Sequence, residues 1–203
     1  DSKQKNEIRI TLPSNSEMDN NVPLIVSDNG IGMTKSQLKD ALTAGLSGKT
    51  SDSDLGLFGM GFNIATARVS KSTTVWTSVD DADEDIGVEI NIPEMIQTRS
   101  FSRDLIVRKN SKTSPKGKHG TTIEIKDYTA DAKSLLYRPD LIRNLNSVYS
   151  SVIKDKYNID IKAKGNDGWV PVKPKRFCLW DKNRIVVHSK RGEIKPYISF
   201  DQK

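Results

Sequence analysis

The strongest constraint on the fold is a set of three glycine-containing motifs that occur in a fixed order, each beside a predicted strand or helix. The first, Asp28-Asn-Gly-Ile-Gly-Met33, directly follows a short apolar run, Val22 to Val26, that predicts a strand. A carboxylate at a strand end can accept a hydrogen bond from an exocyclic amine, and Gly30 and Gly32 let the backbone approach a ligand closely. For this hexapeptide alone, an Asx turn that ends the strand is the alternative.

The second motif, Gly56-Leu-Phe-Gly-Met-Gly61, continues into a predicted helix that runs to about Val69. A glycine-rich turn before a helix exposes backbone N–H groups and the positive helix end to an anion, which suits a phosphate. The spacing differs from a dinucleotide fingerprint, and no Gly-Lys-Ser/Thr follows the glycines as in a P-loop. Gly48-Lys-Thr is not a Walker motif either, because Thr43 and not a glycine stands five residues before Gly48.

The third motif, Gly120-Thr-Thr-Ile-Glu-Ile125, predicts a strand by its alternation. The Thr121 hydroxyl at the strand start could donate to a base or to a nearby water, but threonine is also common in ordinary strands. Between the first two motifs, Thr34 to Ala44 predicts a helix with Thr34 as its N-cap. The polar segment Gly45 to Asp54 has the composition of a surface loop.

The remaining pattern predicts further strands and helices around these motifs. Asn6 to Leu12 should pair with Val22 to Val26 as a hairpin whose loop, Pro13 to Asn21, is polar. The apolar spacing of residues 131 to 155 predicts a helix interrupted near Pro139. Further predicted strands are Thr73 to Val79, Ile86 to Ile92, Leu105 to Arg108, the hairpin of Asn158 to Lys164 with Trp169 to Val172, Arg184 to Val187 and Tyr197 to Phe200.

Composition favours a cytoplasmic protein, or a nuclear one in a eukaryote, that does not enter a membrane. No run of about 18 apolar residues or leader-like segment occurs, and the single Cys178 suits a reducing compartment. The charge is uneven: residues 1 to 100 have 9 Lys+Arg against 15 Asp+Glu, and residues 101 to 203 have 23 against 11. The basic half could contact DNA, through Arg108 to Lys118 and Lys173 to Arg176, or could be a solvated lysine-rich surface.

Taken in order, the three motifs resemble the Bergerat nucleotide fold of the GHKL ATPases (gyrase, Hsp90-like chaperones, histidine kinases and MutL), from Asn6 to about Lys126. The resemblance implies an α+β, two-layer sandwich with helices on one face of a mixed sheet, and it implies ATP and Mg²⁺ as cofactors. Asp28 would then bind the adenine amino group and Thr121 would lie beside it.

The resemblance also assigns roles to the other motif residues. The base would be lined by Gly30 and Gly32, with Ile31 and Met33 packed nearby. Residues Gly45 to Phe58 would form the ATP lid. Lys49 in that lid would contact the γ-phosphate or would be an ordinary solvated lysine. The glycines of the second motif would meet the phosphates, so that its expected nucleotide-binding residues are Gly56, Phe58, Gly59, Gly61 and Phe62.

GHKL proteins place a general-base Glu and a magnesium-binding Asn, four residues apart, on a helix before the first strand. Glu17 and Asn21 have this spacing but lie in the predicted hairpin loop, which would not aim both side chains at phosphate. We therefore expect the catalytic Glu and the magnesium-binding Asn upstream of Asp1, and we expect no catalytic or metal-binding residue within the chain itself.

The run Gly56-Leu-Phe-Gly-Met-Gly-Phe62 is similar to the Hsp90-like and MORC-like branches, and His119-Gly-Thr-Thr-Ile-Glu-Ile125 is also similar to MutL. We expect a nucleotide-binding core lacking its first helix at 1–128, a helix and hairpin extension at 129–176, and the start of a transducer-like domain at 177–203. His119 and His188 are expected to be surface histidines.

The expected function is that of an ATP-binding, ATP-hydrolysing conformational switch in a larger multidomain protein, possible roles being DNA maintenance or defence, with an ATP-dependent homodimer. The alternatives are a non-hydrolysing, nucleotide-gated protein or nucleic-acid interaction module, and an Hsp90-like chaperone ATPase.

Overall fold

The protein was analysed as a computed structural model, which describes residues 6–43, 61–109, 119–136, 138–150, 157–163, 169–174, 187–189 and 192–194. Eight strands of these segments form one sheet in the order β5-β4-β3-β6-β2-β1-β7-β8. They are β1 (Asn6–Leu12), β2 (Leu24–Asp28), β3 (Ser70–Ser78), β4 (Glu84–Asn91), β5 (Ile106–Lys109), β6 (Gly120–Tyr128), β7 (Tyr157–Ala163) and β8 (Val170–Pro171). A separate two-stranded sheet pairs β9 (Val187–Ser189) with β10 (Gly192–Ile194).

Six helices accompany these strands in the described segments: α1 (Asn15–Asp19), α2 (Lys35–Leu42), α3 (Gly61–Val69), α4 (Ile92–Thr98), α5 (Ala132–Leu135) and α6 (Arg138–Val148). The Thr34 N-cap of α2 is present as predicted: the Thr34 hydroxyl accepts from the Gln37 backbone N–H, and the Gln37 side chain accepts from that of Thr34. The interruption predicted near Pro139 separates α5 from α6.

The eight-stranded sheet is mixed, because β1 and β7 run parallel while the other neighbouring strands pair antiparallel. Residues paired across neighbouring strands share a face of the sheet. One face carries the core, in which Leu12, Leu24, Ile125 and Val172 are buried and partly buried residues of α6 pack against them. The opposite face carries the row Arg9, Ser27, Thr122 and Trp76. The predicted α+β fold class is thereby confirmed.

Two helices occur where the sequence pattern predicted none. The loop predicted from Pro13 to Asn21 contains α1, which begins with a capping box between Ser14 and Glu17. The segment after β4 forms α4, with Asn91 as its N-cap and Pro93 in its first turn. Both helices are shorter than two full turns, so they are too short for apolar periodicity to reveal them.

The segment after β6 adds to the same sheet as the motif-bearing strands. Strand β7 pairs with the whole of β1, from Asn6 opposite Tyr157 to Leu12 opposite Ala163, and β8 then pairs with β7 as the predicted hairpin. The strand predicted at Tyr197 to Phe200 lies outside the described residues, as does most of that at Arg184 to Val187. The division into three domains stays a prediction.

Candidate functional site

The carboxylate of Asp28 lies at the end of β2 and is half-buried. Its Oδ1 accepts two backbone N–H groups, from Gly30 at 2.7 Å and from Thr121 at 3.3 Å. Within the described residues, no hydrogen bond reaches Oδ2. Burial raises the pKa of Asp28 above its usual value, and the two backbone N–H groups and nearby His119 oppose this increase.

The turn that follows Asp28 packs its backbone directly against the end of β3. Gly32 has a φ of 71°, in the left-handed region, and a Cβ added there would lie 1.8 Å from the Ser78 carbonyl oxygen. Any residue other than glycine would fit here only if the turn moved away from the end of β3. Asn29 anchors the other side of the turn, because its side-chain oxygen accepts the Glu7 backbone N–H at 2.6 Å.

A fully buried hydroxyl, that of Thr77 near the end of β3, joins the first and the third motif. It accepts the Met33 backbone N–H at 2.9 Å and donates to the Gly120 carbonyl at 3.0 Å. Its contact with the Thr121 hydroxyl is 3.2 Å long. Since the one hydrogen of Thr77 points to Gly120, Thr121 is the donor in that contact. The Thr121 hydroxyl can therefore accept a hydrogen bond from a ligand or a water but cannot donate one.

The start of β6 reaches the Asp28 turn with two groups. Thr121 binds the carboxylate, and His119 Nδ1 lies 2.6 Å from the Gly30 carbonyl oxygen. Gly120 between them has a φ of 132°, a backbone conformation that L side chains rarely adopt. The expectation that His119 is a surface histidine is therefore wrong, because its ring is partly buried and hydrogen-bonded across 89 positions of sequence.

The structure brings together five of the predicted site residues, namely Asp28, Gly30, Gly32, Met33 and Thr121. Ile31 points away from packing, with 83% of its surface exposed, while Met33 is partly buried. The other six predicted residues belong to α3 or precede it in the sequence. Gly61 is exposed at the helix start, where a Cβ would meet no described residue within 4 Å, and Phe62 is partly buried. Lys49, Gly56, Phe58 and Gly59 lie outside the described residues.

Sequence reasoning missed Thr77 and His119. Thr77 had a usable signal, because in the alternating strand β3 it shares a face with buried Val75 and Thr73. A polar residue at a core-facing position needs internal hydrogen-bond partners, so it marks a network. His119 directly precedes the Gly-Thr motif, but nothing in the sequence alone indicates that its ring would reach Gly30.

Glu17 and Asn21 are engaged in local structure. The Glu17 carboxylate accepts the Ser14 backbone N–H at 3.0 Å as the second half of the α1 capping box. The Asn21 side chain donates to the Asp127 carboxylate at 2.7 Å and accepts the Asp127 backbone N–H at 2.6 Å. Both residues thus make contacts in or beside the β1–β2 connection, and the expectation that the chain contains no general base or magnesium ligand stays a prediction.

Arg108, at the start of the basic segment considered for DNA contact, is also engaged within the protein. Its guanidinium binds Asp85 at 3.0 Å and Glu124 at 3.2 Å, and lies 4.0 Å from the centroid of the Trp76 ring. Residues 110–118 and Lys175 and Arg176 lie outside the described residues. Arg108 therefore has its cationic group occupied by two carboxylates and an aromatic ring.

The described segments offer neither a metal-binding cluster nor a membrane-spanning helix. They contain no group of three or more His, Cys, Asp or Glu side chains placed to hold a metal ion. None of their helices combines the length and the apolar character needed to cross a bilayer.

Comparison with known proteins identifies a family. Residues 2–121, more than half of the chain, match the model of the histidine kinase-, DNA gyrase B- and HSP90-like ATPases. Among solved structures, the chain is similar to the Aquifex aeolicus MutL ATPase domain complexed with ADP, with 11% identity and a TM-score of 0.47. That alignment covers 83% of this chain and 56% of the MutL chain. A search of curated proteins gives no match. On the family match, the chain belongs to the histidine kinase-, DNA gyrase B- and HSP90-like ATPase family, which is the GHKL family.

Proposed function

We propose that this chain binds ATP with the adenine amino group on Asp28, and that it is the ATP-binding and ATP-hydrolysing switch module of a larger multidomain protein. The observation that carries the proposal is the Asp28 carboxylate itself. Two backbone N–H groups satisfy its Oδ1, while its Oδ2 receives no donor from the described residues. A half-buried carboxylate is stabilised by a further donor, and the adenine amine is a donor of the right kind.

The surroundings of Asp28 support a flat, partly apolar ligand. Met33 is partly buried beside the Asp28 turn, and Ile31, in the turn itself, is 83% exposed. The hydroxyl of Thr121 lies at the same strand ends, with its lone pairs available to a ligand amine or to a bridging water. This combination suits a purine that carries an exocyclic amine on one edge.

The phosphate half of the site rests on the motif likeness. We propose that Gly56, Gly59 and Gly61 approach the phosphates, that Phe58 and Phe62 line the same site, and that Lys49 is a γ-phosphate contact. Gly61 begins α3, and a Cβ added there would meet no described residue within 4 Å, which supports a close approach of a phosphate to this helix start. Magnesium would neutralise the phosphate charge.

The likeness of residues 56–62 to Hsp90-like and MORC-like proteins supports one of these branches for the whole protein. In that proposal ATP orders the lid, the ordered lid favours a homodimer, and hydrolysis reverses the change. A role in DNA maintenance or defence depends on the basic half of the chain. A non-hydrolysing, nucleotide-gated module remains the second candidate, because Glu17 and Asn21 are engaged in local structure.

The test is steady-state ATP hydrolysis by the intact protein with magnesium, with and without DNA, for wild type, Asp28→Asn and a matched control. Asp83→Asn is that control, since Asp83 is an exposed aspartate in the β3–β4 turn. We expect hydrolysis by the wild type and the control and its loss in Asp28→Asn. Nucleotide binding without turnover in any condition would favour the second candidate, and turnover unchanged in Asp28→Asn would refute the adenine assignment.

A further inference from the structure

His119 makes an interaction for which the family motifs assign no role. Its Nδ1 lies 2.6 Å from the Gly30 carbonyl oxygen, in a partly buried contact between the start of β6 and the turn after β2. A carbonyl oxygen can only accept, so Nδ1 must carry the hydrogen of this bond. The ring is thereby fixed as a donor toward the same turn that aims Asp28.

We propose that His119 is the positioning residue of the base subsite: it holds the Gly30 carbonyl, and through it sets where the Asp28 carboxylate meets the nucleotide base. Three bonds then define the turn. They are Gly30 N–H to Asp28, Thr121 N–H to Asp28, and His119 Nδ1–H to Gly30. His119 acts through the turn and does not touch the ligand in this proposal, which rests on the proposed ATP-binding function.

The geometry at Gly120 supports this role. With a φ of 132°, Gly120 turns the chain so that the residues on both sides of it face the Asp28 turn. Thr77 holds the Gly120 carbonyl at 3.0 Å from within the core. His119 therefore extends from a backbone that is fixed on its C-terminal side. A donor in a fixed place can orient a turn with less loss of conformational freedom than a mobile one.

The position of the turn should affect both the affinity for adenine nucleotides and the preference for adenine over guanine. A turn that shifts by a fraction of an ångström misplaces Asp28 relative to the adenine amine and weakens their hydrogen bond. Guanine presents a carbonyl oxygen at that position, so it has no such hydrogen bond to lose. Loss of the His119 donor should thus weaken adenine nucleotides and reduce the preference for adenine over guanine. A residue that only stabilised the fold would leave that preference unchanged.

Three substitutions separate these outcomes. His119→Leu removes the donor. His119→Asn keeps an N–H two bonds from Cβ, where Nδ1 lies in histidine, and His119→Gln moves it one bond farther away. The measurement is the dissociation constant of ADP and of GDP for the intact protein, with the thermal unfolding midpoint of each ligand-free variant.

We expect His119→Leu to bind ADP about tenfold more weakly, the equivalent of one hydrogen bond, with GDP affinity little changed. His119→Asn should recover most of the ADP affinity and His119→Gln should recover less. Equal ADP affinity in wild type and His119→Leu would overturn the proposal, and so would an Asn variant that binds no better than Leu.

A comparison with Asp28→Asn keeps the two proposals distinct. If Asp28→Asn loses ADP binding and His119→Leu keeps it, only the positioning role is wrong. If the wild type itself binds no ADP, the proposed function fails and the role of His119 fails with it. If His119→Leu is unfolded, the comparison of the Asn and Gln variants decides: equal ADP affinities for these two would reject the positioning role.

Discussion

At the scale of single residues, the site depends on polar groups whose hydrogen-bonding capacity is almost fully used. The buried Thr77 hydroxyl accepts hydrogen bonds from Met33 and Thr121 and donates one to Gly120. Both of its lone pairs and its hydrogen therefore have a partner. Asp28 differs, since one of its oxygens receives no donor from the described residues. Thr77 therefore holds the site together, whereas Asp28 is available to a ligand.

Thr77→Val tests the building role. Valine keeps the shape of threonine but leaves the Met33 N–H and the Gly120 carbonyl without their partner, so we expect a loss of about 1–3 kcal/mol in the free energy of unfolding. ADP affinity should also fall. Thr74→Val is the matched control, because Thr74 lies on the other face of the same strand and its side chain makes no hydrogen bond to the described residues. Equal losses in the two variants would contradict this account.

The raised pKa of Asp28 predicts how stability should depend on pH. A carboxyl whose pKa is higher in the folded state contributes stability below its unfolded pKa, about 3.9, and this contribution is lost as pH rises through the folded pKa. Ionisation of Asp28 therefore destabilises the ligand-free fold. We expect Asp28→Asn to have an unfolding midpoint at or above that of wild type at neutral pH, with the difference shrinking on acidification.

Thermal unfolding of the ligand-free protein across this range, with Asp83→Asn as the control for loss of a surface charge, checks the sign. A wild type that is more stable than Asp28→Asn at neutral pH would show that the protein itself satisfies this carboxylate. In that case Asp28 would be a structural group, and the case for a ligand donor would be lost.

Among these residues, the resemblance to the GHKL motifs implied that Thr121 lies beside Asp28, and the two are in contact. It did not predict the contact of His119. The contact of His119 with Gly30 depends on how the start of β6 and the turn after β2 lie in the folded sheet. A single sequence does not show that arrangement.

At the scale of secondary structure, strands and helices with clear signals were predicted close to their observed bounds. The cap of α2 and the alternation of β6 are local features that the sequence carries by itself. Helices α1 and α4 were missed because caps define them and they have too few turns for a periodic apolar face. Their N-caps, Ser14 and Asn91, are the signals that could have revealed them.

The edge strand β5 provides a test of the basic segment. Arg108 holds the fully buried Asp85, one of whose oxygens, Oδ1, has no hydrogen-bond partner within the described structure. Arg108→Ala would leave that carboxylate buried without a cation, and we expect a loss of about 3 kcal/mol in the free energy of unfolding. Lys109→Ala, an exposed neighbour on the same strand, should cost less than about 0.5 kcal/mol.

Urea unfolding of the two variants measures this difference. Adding Asp85→Asn to Arg108→Ala should recover part of the loss, since it removes the uncompensated charge. If Arg108→Ala unfolds like the wild type but weakens DNA binding in a salt-dependent way, Arg108 is a phosphate contact after all and its ion pairs contribute little.

At the scale of the whole molecule, one sheet has two chemically different faces. The core and helix α6 lie on one face, and the other carries polar residues and two arginine–tryptophan stacks, Arg9 with Trp169 and Arg108 with Trp76. The predicted fold class captured this layering. The parallel pairing of β1 with β7 was not predictable, because about 150 residues separate the paired positions and the choice of neighbour depends on the assembled sheet.

The central claim is that Asp28 selects adenine, and direct binding of ADP tests it. Isothermal titration of ADP into the intact protein should show binding to wild type and to Asp83→Asn. Asp28→Asn should bind at least about tenfold more weakly, because an amide N–H would face the adenine amine in place of a carboxyl oxygen that accepts. Equal ADP affinity in wild type and Asp28→Asn would contradict the claim.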